Sequence, residues 1–417
     1  MIIEGYNWFG STEKLSGALK NILDYYGVVV PHTGEPFTEA MLMGIGGGLG
    51  LEYLTFTLKS KYFPPEKRGR TSFFLRFWPT SRDFLKTMAS RIGATLFVHQ
   101  TSSRAKGYRT LVDALNKGKP VIIGLSIASR EADKEFFHYL PYYTLPYTWV
   151  GNYAHCVIVY GINEEAGRAH VADWSSQPLL LTLEELAEAR AAVPGRKHAA
   201  TVIEPPKEVR NLENAIRAGI RDCCQELKKP SAASALFGVQ TLEKWANRIA
   251  NPRDKKGWQQ LFSGHERLFD VLTQVHGLVE FFNSSGGALR AAYADFLEEA
   301  SDIIGKAKLR NVSMLYRDLA GKWTDFAKAV LPDSVPLFKN ARLAAVKWNE
   351  IFLTKGQSSP RELEKAVEKV RYIRRQVSES FPLTEMEVLD LLENMSKHLL
   401  GLYKDETKAL AALKSIV

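Results

Sequence analysis

The hydrophobic period of this chain changes near Val202-Ile203-Glu204-Pro205-Pro206-Lys207, and that change limits what it can fold into. Upstream, β-prone runs such as Lys119-Pro120-Val121-Ile122-Ile123-Gly124-Leu125 alternate with helix-like segments such as Lys14–Tyr26. Downstream, nearly every segment carries helical spacing. Leu289, Tyr293, Phe296, Leu297, Ala300, Ile303 and Ile304 form one apolar stripe, and Leu363, Val367, Val370, Ile373 and Val377 form another. Breaks fall at Asn283-Ser284-Ser285-Gly286-Gly287, at Pro332-Asp333 and at Gly356-Gln357-Ser358-Ser359-Pro360. The reading is an α+β domain over residues 1–205 and an all-helical domain over 206–417. A chain of 417 residues with 45% apolar composition can bury a core in each.

Within the first part, Ala154-His155-Cys156-Val157-Ile158-Val159-Tyr160-Gly161 leads into the turn-like Asn163-Glu164-Glu165-Ala166-Gly167. The chain returns through Arg168-Ala169-His170-Val171-Ala172-Asp173-Trp174, which predicts an antiparallel hairpin. With its centre near Glu164, His155 and Asp173 would stand directly opposed, their Cβ atoms roughly 5 Å apart. A carboxylate there could orient and charge-stabilise the imidazole, as the base-and-orienter part of a nucleophile–His–Asp site. The alternative is a satisfied structural histidine beside an aspartate that caps a turn. Strand alternation turns His170 to the other face, and sends Cys156 away from His155 into the core.

The net charge of +9 is spread over both parts, with no arginine-rich block or zinc-finger spacing, which argues against nucleic acid. A mildly basic surface suits an acidic partner such as a carrier protein or nucleotide. The three cysteines make no disulfide framework or metal motif, and Cys223-Cys224 reads as helix packing. No metal or other cofactor is expected. No signal peptide opens the chain, and the apolar stretch Met41–Leu54 is broken by Glu52 and too short for a bilayer, so a cytoplasmic protein with no membrane partner is expected. The run Gly44-Ile45-Gly46-Gly47-Gly48-Leu49-Gly50 lacks the Walker Gly-Lys-Ser/Thr and the Rossmann spacing. Close backbone packing or a flexible lip beside a cleft is expected there instead.

Several segments, in order, resemble the butirosin biosynthesis protein H family. They include Ala18-Leu19-Lys20-Asn21-Ile22-Leu23-Asp24-Tyr25-Tyr26-Gly27, the Glu39–Gly50 segment, Gly118-Lys119-Pro120-Val121, Leu145-Pro146-Tyr147, the His155 strand, Ala172-Asp173 and Leu183–Arg190. Gly286-Gly287-Ala288-Leu289-Arg290 and Phe296–Ala300 are similar to the helical partner domain. The resemblance implies a papain-like N-terminal domain followed by a helical domain of unknown function. It also implies transfer of an acyl group from a carrier-protein thioester to an amine, forming an amide in a specialised-metabolite pathway. The implied partners are an acyl carrier protein bearing a phosphopantetheine-linked acyl group and a small-molecule amine acceptor; a homo-oligomer is left open.

The family pattern places a His-Cys pair at the start of the first helix, where this chain has Glu13-Lys14, or Trp8-Phe9 in a looser register. Cysteine chemistry is therefore absent from that place. A helix N-terminus stabilises a thiolate and can help bind an oxyanion, but gives lysine nothing comparable. Lys14 needs desolvation or a second cation to become a nucleophile, and Glu13 opposes that; otherwise it is a solvated first-turn residue. Ser11-Thr12-Glu13-Lys14 has the Ser-x-x-Lys spacing of some acyl-enzyme hydrolases, although Ser11 or Thr12 reads equally as a helix N-cap. Glu13, Tyr147, Trp149 and Tyr153 are substrate-binding candidates, since aromatics near His155, including Tyr142 and Tyr143, could wall an acyl pocket or simply pack a loop. Two functions follow: an acyltransferase using His155, Asp173 and Lys14 or Ser11 without cysteine, or a non-catalytic binding or scaffold protein.

Overall fold

The computed structural model describes residues 1–57, 69–81, 83–126, 154–193, 195–232, 235–282, 284 and 286–416. The first half is built around an antiparallel six-stranded sheet. It contains β3 (Thr95–His99), β4 (Val121–Ser126), β5 (Ala154–Asn163), β6 (Arg168–Ala172), β7 (Leu179–Thr182) and β8 (Ala200–Glu204), in the order β3-β8-β4-β5-β6-β7. Val121, Ile123, Leu125, Val157, Val159 and Val171 are buried along the central strands, as β-branched and apolar runs require in a covered sheet. Helices α1 (Lys14–Tyr25), α4 (Arg104–Leu115) and α5 (Leu183–Ala191) pack against it. Thr182 and Glu185 close a reciprocal capping box at the start of α5, which ends β7 and begins the helix without a loop.

After β8 the chain is helical through α6 (Leu212–Glu226), α7 (Gln240–Ala250), α8 (Trp258–Leu261), α9 (His265–Glu280), α10 (Arg290–Ile303), α11 (Lys308–Val330), α12 (Pro336–Lys355), α13 (Pro360–Glu379) and α14 (Glu385–Lys414). The apolar stripes lie on α10 and α13, where Tyr293, Phe296, Leu297, Leu363, Val367 and Ile373 are buried. Proline at the first turn of α12 and of α13 restarts the helix after each break, where its missing N–H costs nothing.

One strand departs from the expectation of a wholly helical second half. β9 (Ala235–Phe237) pairs antiparallel with β1 (Glu52–Thr57), which also pairs with β2 (Thr71–Arg76), giving a small sheet ordered β2-β1-β9. Three residues carry too little periodicity to announce a strand, and β9 exists because β1 offers it an edge. The halves also meet through α2 (Glu39–Ile45), which touches α6 and α10, and their apolar residues form one continuous core.

The glycine run is the seam of that contact. A Cβ on Gly44 would lie 2.1 Å from the Phe296 ring of α10, and one on Gly219 of α6 would lie 2.2 Å from the Gly44 carbonyl oxygen. Of the alternatives the run left open, close packing is the one found: side chains are missing where helices and rings need the space.

Candidate functional site

The β5–β6 hairpin closes through an Asn163 turn, with the Asn163 Oδ1 accepting from the Ala166 N–H at 3.0 Å and Gly167 in the left-handed region at φ +62°. The register runs Asn163↔Arg168, Ile162↔Ala169 and Gly161↔His170. An irregularity between Val159 and Gly161 shifts it to Val159↔Val171 and Ile158↔Ala172. The centre is therefore between Glu165 and Ala166, not near Glu164, and Tyr160 is the extra residue of a bulge. Its ring stacks on Tyr6 at 4.6 Å.

His155 and Asp173 are consequently not directly opposed. Continuing the register puts Asp173, one residue beyond β6, across from Val157, so it reaches His155 along the diagonal. The contact forms all the same. His155 Nε2 and Asp173 Oδ1 are 2.7 Å apart, with side-chain exposures of 0% and 1%. The same Oδ1 accepts from the Trp174 N–H at 2.8 Å, and the Trp174 ring meets the imidazole edge-on at 4.8 Å. The carboxylate is thus fixed by its own backbone, and the imidazole is fixed by both carboxylate and indole. His170 packs its ring on Tyr160 instead.

The segment before α1 lies beside this pair: the Gly10 N–H donates to the Asp173 carbonyl at 3.2 Å and the Ser11 N–H to the Trp174 carbonyl at 3.4 Å. Glu13 is the N-cap of α1, its Oε2 accepting from the Leu15 N–H at 2.9 Å and the Ser16 N–H at 2.8 Å. This corrects the expectation that Ser11 or Thr12 caps the helix. Ser11 lies before the cap, so Ser11 and Lys14 do not share a helical turn. Instead the Ser11 side chain fills the space left by Gly17. The helix uses the Glu13 Oε2, while Oε1 is buried with no hydrogen-bond partner among the described residues.

A second carboxylate joins the cap from α2. Glu39 accepts from the Thr12 N–H at 3.0 Å and the Glu13 N–H at 2.5 Å. The Ser16 hydroxyl lies 3.0 Å from Glu13 Oε2 and 3.1 Å from Glu39 Oε1. Burial raises the proton affinity of both carboxyls, and hydrogen bonds from the helix start offset part of it. The hydroxyl carries one proton, so it donates to one of the two carboxyl oxygens at a time.

Lys14 is the first residue of α1 and is not the solvated residue expected there. It is half-buried, with Nζ 5.8 Å from the centroid of the Trp78 ring. Burial pushes its pKa down and Arg76 adds to that, against the opposing pull of Cys156 and Glu13. Cys156 does alternate away from His155, and it packs against the core beside the helix start. Its half-buried thiol approaches the Lys14 carbonyl at 3.5 Å. Burial raises that thiol to about 12, so it is protonated at neutral pH.

Tyr142, Tyr143, Tyr147, Trp149 and Tyr153 lie outside the described residues. Sequence reasoning missed Glu39, Ser16 and Trp174. Trp174 is adjacent to Asp173 and could have been found; Glu39 reaches the site only through the packing of α2 on α1. Among the described residues no group of three or more His, Cys, Asp or Glu could hold a metal ion, and no helix is long and apolar enough to cross a membrane.

Residues 14–174 match the family model described as butirosin biosynthesis protein H, N-terminal, which begins on Lys14 and ends beside Asp173. Residues 184–346 match a domain of unknown function, DUF4872, which begins inside α5 and ends within α12. No curated protein matches the chain. Both matches together place the helix start and the His155 hairpin in the part of the chain that defines its kinship: it belongs to the butirosin biosynthesis protein H family.

Proposed function

We propose that this chain is an acyltransferase of the butirosin H type with a papain-like first domain, forming amides from carrier-protein thioesters without a cysteine nucleophile. The observation that carries this reading is the 2.7 Å contact between His155 and Asp173, beside the start of a helix that packs on β5. Asp173 orients the imidazole, and His155 acts as general base. The acceptor amine attacks the thioester carbon directly: the C–N bond forms, the C–S bond breaks, and the amine proton passes through His155 to the departing thiolate. Lys14, desolvated and next to Arg76, is the second basic group at the helix start. An acyl group on its amine would be a stable amide, which favours a proton-transfer or substrate-positioning role over a covalent one.

The non-catalytic reading has its own support. The N–H groups of Thr12, Glu13, Leu15 and Ser16 at the start of α1 are occupied by Glu13 and Glu39, and the His155–Asp173 pair is buried. Such a protein would bind an acylated carrier without turning it over. Incubation with a panel of acylated carrier proteins and amines, with product amide and intact protein mass followed together, separates the two. We expect amide formation without a stable acyl adduct, reduced about 10²–10⁴-fold in His155→Gln and in Asp173→Asn. Turnover unchanged in both folded variants refutes the assigned base. Carrier binding with no turnover in the native protein refutes acyl transfer for that panel.

A further inference from the structure

A pocket lies away from the His155–Asp173 pair. It opens between α4 and α5, has a volume of about 440 Å³, and its walls include Leu183, Leu186 and the ring of Tyr108. The Tyr108 hydroxyl donates to Glu164 at 2.7 Å, in the turn at the opposite end of β5 from His155. At roughly 3.3 Å per residue, the two lie about 30 Å apart along the strand.

The pocket is apolar but not neutral. Arg190 of α5 lines it at 2% exposure, and no acidic residue lines it among the described residues. Its Nη2 donates to the carbonyls of Gly107 at 3.2 Å and His198 at 3.1 Å, while its Nε is buried with no hydrogen-bond partner among the described residues. Burial lowers its pKa to about 10, which still leaves a cation at neutral pH. Glu184, next in sequence to the lining Leu183, is engaged by Arg104 in an exposed pair at the rim. His198, held at φ +47°, turns its carbonyl to Arg190, while burial and the neighbouring Arg190 lower its own pKa and keep the ring neutral.

Two carbonyl dipoles stitch α4 to the loop before β8, but they do not neutralise a full charge in a low-dielectric setting. A buried cation with an unused donor beside an unfilled apolar volume is what an amphipathic anion needs: the body displaces water from the walls and the head pairs with the guanidinium. We propose that this pocket binds a small apolar carboxylate of medium alkyl length, with the carboxylate on Arg190 and the chain between α4 and α5. Carboxylate is favoured over a compact phosphate because the walls are almost entirely apolar.

The test is calorimetric titration of the full chain with octanoate and with 1-octanol. Saturable octanoate binding at least tenfold tighter than octanol is expected. Ala187→Trp fills the pocket from α5 without touching the Arg190 bonds, and should abolish binding while the melting temperature is kept; Ala105→Trp does the same from α4 should the first variant not fold. Arg190→Lys keeps the charge but not the planar fork, and should weaken octanoate more than octanol. No octanoate binding, equal affinity for octanol, or binding that persists in a folded pocket-filling variant overturns the proposal.

Discussion

Glu406→Ala should be among the most damaging single changes in the helical half. Arg290 of α10 and Glu406 of α14 form an ion pair whose side chains are both fully buried, with Nε and Oε1 2.7 Å apart. The Trp323 indole N–H donates to the same carboxylate oxygen at 2.9 Å, and Arg290 Nη1 donates to the Ala288 carbonyl at 2.7 Å. The guanidinium also sits over the rings of Phe77 and Trp323, at 5.4 and 5.3 Å. Removing the carboxylate leaves a buried cation held by one carbonyl and two rings, and strands an indole N–H. Breaking one side of such a pair costs about 3–5 kcal/mol. At about 2 °C per kcal/mol for a chain of this size, the melting midpoint should fall by roughly 5–10 °C. The double change Arg290→Met with Glu406→Leu removes both charges and should recover most of the loss, because the native pair also carries the cost of desolvating two ions. Urea unfolding followed by far-ultraviolet circular dichroism measures both variants. A single mutant within about 1 kcal/mol of the native protein, or a double mutant as unstable as the single, would refute the reasoning.

The loop ahead of Arg290 holds Gly286, Gly287, Ala288 and Leu289 in the left-handed region, and a Cβ on Gly287 would lie 2.6 Å from the Ala320 carbonyl oxygen. Gly287→Ala should therefore lose at least about 2 kcal/mol, whereas Ala288→Gly relieves strain and should stay within about 1 kcal/mol of native. Equal losses in thermal melts would contradict this. At the start of α1, burial raises the Glu39 carboxyl, so its folded form holds a proton more readily than its unfolded form. The stabilisation that follows is complete below the unfolded pKa and fades as pH rises through the raised folded value. Glu39→Gln cannot ionise, so its melting temperature relative to the native protein should be higher at pH 8 than at pH 5. A flat or reversed difference would show that the helix-start N–H groups outweigh burial.

Local pattern carried much of this architecture. The helical stripes of α10 and α13, the start of α1 at Lys14 and the β5–β6 hairpin could all be read because each is set by spacing within one element. The His155–Asp173 contact was legible for a partly wrong reason, since the turn centre and the Tyr160 bulge shifted the register and a diagonal reach restored the contact. What could not be read depends on pieces distant in sequence. Glu39 reaches the α1 cap from another helix, and the surroundings of Lys14 come from Arg76 and Trp78 on one distant stretch of chain and Cys156 on another. Desolvation is a property of the assembled core, so the lowered proton affinity of Lys14 had no signature in the residues next to it.

The three-residue strand β9 has a bearing on how such a protein can be inherited. By completing the β2-β1-β9 sheet it ties two regions recognised as separate families into a single structural dependency. A gene fragment encoding the first region alone would present β1 with an unprotected edge, and α2 with a glycine groove emptied of the ring that fills it. Shuffling either region with an unrelated neighbour would therefore expose sticky surface before it created new chemistry. Selection would act on the two as one heritable unit, and sequence drift on either side of the seam would have to be matched on the other.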